Sequence, residues 1–150
     1  KVLEYNTRFG DPETQAVLPR LESDLVDLFL SASEPGGLAG TEVSFADQFA
    51  VTVVLASAGY PASSSKGDVI TGLDEAARSA EVVHAGTAEA DGRIVTAGGR
   101  VLNLTGTGPD AATARDRAYD AADAVNFDGK QMRRDIAERA VRRERNQKAT

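Results

Sequence analysis

Residues 34–40, Glu-Pro-Gly-Gly-Leu-Ala-Gly, constrain the architecture of this 150-residue chain more than any other stretch. Proline removes a backbone donor and three glycines leave the backbone costly to order, so neither a helix nor a strand is expected to run through them. The expected organisation is therefore an amino-terminal segment, residues 1–40, and a second unit, residues 41–150. The second unit reads as β-rich. Residues 50–56 carry Val51, Val53, Val54 and Leu55 in a nearly continuous apolar run, as a strand covered on both faces would. Shorter strands are expected at residues 69–70, 81–85, 93–96 and 101–105. Asp91-Gly92 signals a two-residue hairpin, because the primed turn needs positive φ. Gly98-Gly99 and Gly106/Gly108 are expected to punctuate the strand between them. Asp110 then caps a helix with Ala111, Ala114, Ala118, Ala121, Ala122 and Val125 at helical spacing. Side chains this small let a helix come close to a sheet. The fold class is thus α+β, a small twisted β-structure with one or two packed helices.

The first segment is read more coarsely. Asp11-Pro-Glu13 is a helix entry with acid in its first turn. Residues 15–21 suit a short helix stressed by Pro19. Ser23 is expected to cap a further helix whose apolar face is Leu25, Leu28 and Phe29.

Composition excludes several functions. With no cysteine there is no disulfide, no thiolate nucleophile and no zinc–thiolate site. A net charge of −6 argues against nonspecific nucleic-acid binding by the body of the protein. Residues 130–150 hold eight Lys/Arg against three Asp/Glu, which reads as a solvated basic helix. No apolar run approaches the roughly 18 residues that span a bilayer, and no basic, apolar leader opens the sequence. A cytoplasmic protein is expected.

The chemistry concentrates at residues 4–15, Glu-Tyr-Asn-Thr-Arg-Phe-Gly-Asp-Pro-Glu-Thr-Gln. On an extended segment Glu4 and Asn6 leave the same face. A carboxylate and a carboxamide side by side are hard oxygen ligands suited to Mg²⁺ or Mn²⁺. Arg8 continues the row with a group shaped to grip a phosphate or carboxylate.

The string V-L-E-Y-N-T-R-F-G-D-P-E-T-Q resembles the terminal metal-binding strand of an ATP-grasp ligase, most closely in the phosphoribosylamine–glycine ligase (glycinamide ribonucleotide synthetase) family. The resemblance continues through Gly59-Tyr-Pro61, Lys66-Gly67, Ile70-Thr-Gly-Leu73, His84-Ala-Gly-Thr87, Gly98-Gly-Arg-Val-Leu102 and Arg133-Arg-Asp-Ile136, in family order. It implies that residues 1–40 end an ATP-grasp domain and that residues 41–150 form the small domain packed on it. It also implies that an amino-terminal portion of the enzyme, which carries the nucleotide clamp, lies outside this sequence, so the isolated chain is expected to be inactive. The implied partners are ATP as co-substrate, glycine and 5-phosphoribosylamine. Glu4 and Asn6 would hold the divalent ions that bridge the ATP phosphates. Arg8 would steady the transferred phosphoryl group. Asp11 would either accept from the glycine ammonium or cap the helix at Glu13. Lys66 and Arg100 are candidates to meet the phosphoribosylamine. Ser64 stands where family members often carry tyrosine, and His84 reads as a packed structural residue. Two other readings share parts of the pattern: another ATP-grasp carboxylate–amine ligase, and a carrier module acylated at a hairpin lysine. The second is disfavoured because the Asp91-Gly92 tip has no lysine.

Overall fold

The valine-rich run at residues 50–56 does form a strand, at one edge of the main sheet. In the computed structural model, which describes residues 7–148, five strands make two antiparallel sheets. They are β1 (Phe49–Ala56), β2 (Glu81–His84), β3 (Thr87–Ala90), β4 (Arg93–Thr96) and β5 (Arg100–Gly108). One sheet runs β1-β5-β2 and the other is the β3-β4 hairpin. Asp91 and Gly92 form the hairpin tip with φ of 50° and 70°, the positive pair that a primed turn requires. Among the same described residues five α-helices accompany the strands: α1 (Glu13–Val17), α2 (Leu25–Ser33), α3 (Leu73–Ala76), α4 (Ala111–Ala124) and α5 (Glu138–Lys148).

Strand alternation divides the three-stranded sheet into two faces. Val51, Val53 and Leu55 lie opposite Gly106, Leu104 and Leu102 and share one face with them. That face and the alanines of α4 form the main core, with Val53, Leu55, Leu104, Ala114, Ala118, Ala121 and Ala122 fully buried. Asp110 caps α4 as expected, its Oδ1 accepting from Thr113 N at 2.7 Å. Gly106 and Gly108 do not punctuate β5; they lie within it, on the face that α4 covers. A Cβ on Gly106 would run into the Ala114 carbonyl and sit 2.6 Å from Ala118 N. Glycine here is therefore the complement of the alanine stripe, since both remove atoms from one contact.

The other face carries Thr52 opposite Thr105, their hydroxyls 2.8 Å apart, and Val54 opposite Asn103, which also pairs with Val83 of β2. The amino-terminal segment covers it. α1 packs on β1 and β5, and the 3-10 turn Leu18–Arg20 follows directly. Pro19 shortens the helix expected over residues 15–21 into these two pieces, because a 3-10 turn tolerates the missing donor at its second position. Gln48 Nε2 donates to the Pro19 carbonyl at 3.2 Å and Ala46 N to the Arg20 carbonyl at 2.7 Å, so chain on either side of residues 34–40 is in contact.

Three local expectations differ from the structure. Asp24 caps α2, accepting from Val26 N and Asp27 N, whereas the Ser23 hydroxyl accepts from Ser44 N. A carboxylate one residue later is the stronger acceptor and takes the cap. Residues 69–70 make only an isolated bridge, Val69 to Val95, while Thr87–Ala90, whose alternation is weak, pairs as β3 because the tight turn places it beside β4. The α2 face is only partly covered: Phe29 stays 51% exposed, with its ring edge-on to Phe9 at 5.8 Å.

Lys130 ends α4. Its ammonium donates to the Ala122 carbonyl at 2.9 Å and also to that of Val125, two acceptors the helix leaves open at its C-terminus. Partial burial pulls its pKa below the ordinary lysine value, with Asp123 opposing that shift. Lys130→Met keeps the stem but orphans both carbonyls, and about 1–2 kcal/mol of stability is expected to be lost. A urea midpoint lowered at unchanged slope would show it; an unmoved midpoint would mean that solvent serves these carbonyls equally well. The basic tail forms α5, anchored by Glu144, whose Oε2 accepts from Ala111 N at 2.9 Å.

Candidate functional site

Arg100 opens β5 at an irregularity in the sheet. The register slips between Leu55 and Ala56, so Ala56 lies opposite Arg100. Gly99 precedes it, and a side chain there would meet the Tyr60 ring at 2.6 Å. This close approach seats the 57–61 turn beside Arg100. The guanidinium then reaches across to the R-F-G-D-P-E-T-Q string, with Nη2 3.2 Å from Asp11 Oδ2 and Nη1 donating to the Asp11 carbonyl at 2.6 Å. Two residues 89 apart in sequence are thus brought together. Asp11 does not cap α1. The position before Glu13 is Pro12, which offers no side-chain acceptor, and the Asp11 carboxylate accepts instead from Gln15 Nε2 at 3.1 Å. The Arg100 and Asp11 side chains are 38% and 43% exposed, so their ion pair contributes little stability and either group can turn to an incoming ligand.

A cavity of about 350 Å³ adjoins Arg100, lined also by Val54, Ala56, Tyr60, Gln131, Met132 and Arg133. Its size lies within the range of small-ligand sites, and an apolar floor with a few polar groups is their usual make-up. Two arginines and a tyrosine would receive an anionic, polyhydroxylated molecule. Arg133 is held in place from both sides. Its guanidinium donates to Asp135 at 2.9 and 2.6 Å, a hydrogen bond that keeps the Asp135 carboxyl below its ordinary pKa. Its carbonyl accepts from the Tyr119 hydroxyl at 2.8 Å, and the same hydroxyl accepts from Ile136 N at 3.1 Å. Arg115 adds bonds to the carbonyls of Arg134 and Ile136. The strap from residue 131 to 136 is therefore fastened to α4.

The sequence-derived candidates fall into three groups. Asp11 and Arg100 meet directly. Arg8 is exposed and, among the described residues, donates to the neighbouring Phe9 carbonyl, and Lys66 is exposed in the loop before Gly67, outside the lining of the cavity. Glu4 and Asn6 lie outside the described residues, and among the described residues no cluster of three or more His, Asp or Glu could hold a metal. His84 is not packed as expected; it is exposed at the end of β2, with Nδ1 3.0 Å from the Thr87 hydroxyl, where it closes a tight turn. Sequence reading missed Tyr60 and Arg133 as lining residues. Both lie in stretches that stand out, Gly59-Tyr-Pro61 and Arg133-Arg-Asp-Ile136, but only the sheet's geometry joins them.

An α+β unit with a glycine-seated helix, a hairpin and an arginine-lined cavity at the end of its longest strand has recognisable kin. Residues 50–139 match the family model for the phosphoribosylglycinamide synthetase C domain, and the chain belongs to that family. The phosphoribosylamine–glycine ligase of Streptomyces coelicolor is 50% identical over 146 residues, 94% of this chain and 35% of that protein. The ligase of the same name from Neisseria meningitidis serogroup A is 48% identical over 142 residues, again 94% of this chain and 33% of the relative. The crystal structure of the Thermotoga maritima phosphoribosylamine–glycine ligase superposes with a TM-score of 0.74 at 42% identity, covering 89% of this chain and 32% of that one. The chain thus spans about a third of the length of the relatives it matches. Among the described residues, no helix is long and apolar enough to cross a membrane.

Proposed function

We propose that this chain supplies the acceptor side of an ATP-dependent ligase that joins glycine to 5-phosphoribosylamine. The products would be glycinamide ribonucleotide, ADP and phosphate. The observation that carries this reading is the pairing of Asp11 with Arg100, which ties the R-F-G-D-P-E-T-Q string to the arginine-lined cavity of the C domain. Residues 1–40 would close the ATP-grasp domain, and residues 41–150 would present the phosphoribosylamine.

In that reaction the glycine carboxylate takes the γ-phosphoryl group of ATP, and the amine of phosphoribosylamine displaces phosphate from the resulting acyl phosphate. Binding energy is used to align these partners and to hold charge fixed around them. Arg100 and Arg133 would receive the sugar phosphate, Tyr60 would bound the ribose, and Lys66 would approach from the neighbouring loop. Asp11 would be free to accept from the ammonium of glycine once Arg100 turned to substrate. Arg8 would neutralise the transferred phosphoryl group. Glu4 and Asn6 would hold Mg²⁺ or Mn²⁺, whose chemistry is to offset the charge of the nucleotide phosphates. The setting would be the cytoplasm.

The nucleotide-gripping lysines of such a ligase lie outside these residues, and oxygen ligands in open solvent hold Mg²⁺ weakly. The chain alone is therefore expected to release no ADP with glycine and phosphoribosylamine, and to do so once joined to the preceding two thirds found in its relatives. An ADP-release assay on both forms is the test. Turnover by the chain alone, or none by the joined form with normal folding, would overturn the reading.

A further inference from the structure

Asn103 sits at the centre of the sheet face that α1 covers, between Val54 of β1 and Val83 of β2. Its side chain is fully buried, and among the described residues neither Nδ2 nor Oδ1 has a hydrogen-bond partner. Such a group loses its hydration with nothing in return, unless something polar reaches it. Gln15 of α1 presents a matching case. Its Nε2 donates to Asp11, while its Oε1 is buried with no partner among the described residues. The orientation of this amide is dictated by chemistry, since an ionised carboxylate can only accept and so must receive the NH₂ side. The oxygen is thereby turned inward. Gln15 and Val83 line one cavity with Thr14, Leu18, Pro19 and Glu81, and Val83 is the register neighbour of Asn103 on the same face. Gln15 on α1 and Asn103 on the sheet face that α1 covers thus belong to the two sides of one packed layer.

We propose that Asn103 and Gln15 hold a structural water under α1, and that Gln15 is thereby a positioning residue for Asp11. A buried water makes about three hydrogen bonds. Here it donates to Asn103 Oδ1 and to Gln15 Oε1, and accepts from Asn103 Nδ2. With its oxygen fastened to the sheet, the Gln15 amide holds its NH₂ toward Asp11, and Asp11 is held against Arg100. The chain of bonds runs from the centre of β5 through α1 back to the start of β5. Gln15 gains a role as the far end of the R-F-G-D-P-E-T-Q string. The positioning part rests on the reading of Asp11 and Arg100 as substrate groups; the water does not.

Two measurements on the whole chain test the water without any catalysis. A high-resolution crystal structure is expected to show a water within hydrogen-bond distance of both amides; a dry gap, or a direct Asn103–Gln15 bond, overturns the proposal. Urea midpoints of Asn103→Leu, Gln15→Met and the double variant are expected to be sub-additive, because either change breaks the same bridge. Additive losses overturn it. If Asn103→Leu does not fold, Asn103→Ser takes its place in the cycle. The positioning role is read separately, in the joined ligase. Gln15→Met is expected to raise KM for glycine or phosphoribosylamine about tenfold with kcat little changed, and Gln15→Glu is not expected to restore it. An unchanged KM removes the positioning role. If the joined enzyme proved not to be this ligase, the functional reading would fail while the crystal and stability results still decided the water.

Discussion

Gly106→Val is expected to cost about 3 kcal/mol or more, a large part of the roughly 5–15 kcal/mol that holds a domain folded. The reason lies in what a side chain at that position would strike. A Cβ alone meets the Ala114 carbonyl and the backbone N of Ala118, and these belong to the first and second turns of α4 rather than to a flexible side-chain end. Overfilling a packed interior forces backbone shifts costing roughly 1–3 kcal/mol, and more when no rotamer can yield. Here the helix itself must retreat from β5, opening the contact that buries Leu104, Ala114 and Ala118. Denaturant unfolding monitored by circular dichroism measures this directly. Gly92→Ala serves as the comparison, since no neighbour lies within 4 Å of its Cβ and only its φ of 70° is strained. That variant is expected to lose about 1 kcal/mol. Equal midpoints for Gly106→Val and the parent chain would mean that α4 is not seated on β5 as described.

Arg100→Ala is expected to lower kcat/KM for phosphoribosylamine about 100-fold in the joined ligase, with stability nearly unchanged. Loss of a charge-assisted hydrogen bond to an anionic ligand is worth about 2–3 kcal/mol, and each 1.4 kcal/mol is roughly tenfold in rate. The folded chain loses little, because Arg100 and Asp11 are both part-exposed and their pair is solvent-screened. The reversed pair, Arg100→Asp with Asp11→Arg, tests whether the ion pair alone suffices. It restores the ion pair but puts a carboxylate in the cavity shared with Tyr60 and Arg133, so it is expected to fold and remain inactive. Activity recovered by the reversed pair would show that Arg100 serves the structure alone. Arg100→Lys is expected to keep only part of the activity, since an ammonium cannot grip a phosphate through two parallel bonds.

Much of the framework is legible in the residues alone. The extent of β4, the cap at Asp110, the buried alanine stripe of α4 and the Asp91-Gly92 turn all follow from interactions within a few residues of one another. Local chemistry is written in local sequence. The family is legible for the same reason, because its motifs are contiguous strings. Where local signals compete, reading fails: Asp24 takes the α2 cap from Ser23, and Thr87–Ala90 becomes a strand although its own pattern is poor.

By itself, then, the sequence determined the family and the order of most elements, and it supplied the residues proposed to hold a metal or a phosphate. The tertiary structure alone decided which of them meet. Asp11 comes to Arg100 because α1 lies on the sheet face opposite α4, and that face is available because the alternation of β1 and β5 leaves threonine, valine and asparagine there. Arg133 reaches the same cavity because the Tyr119 hydroxyl, on the far side of the sheet, fastens its strap to α4. Gly106 means a break in one dimension and a close approach in three. Contacts between residues dozens of positions apart depend on how faces pack, and packing is a property of the summed shape of both surfaces rather than of any string within either.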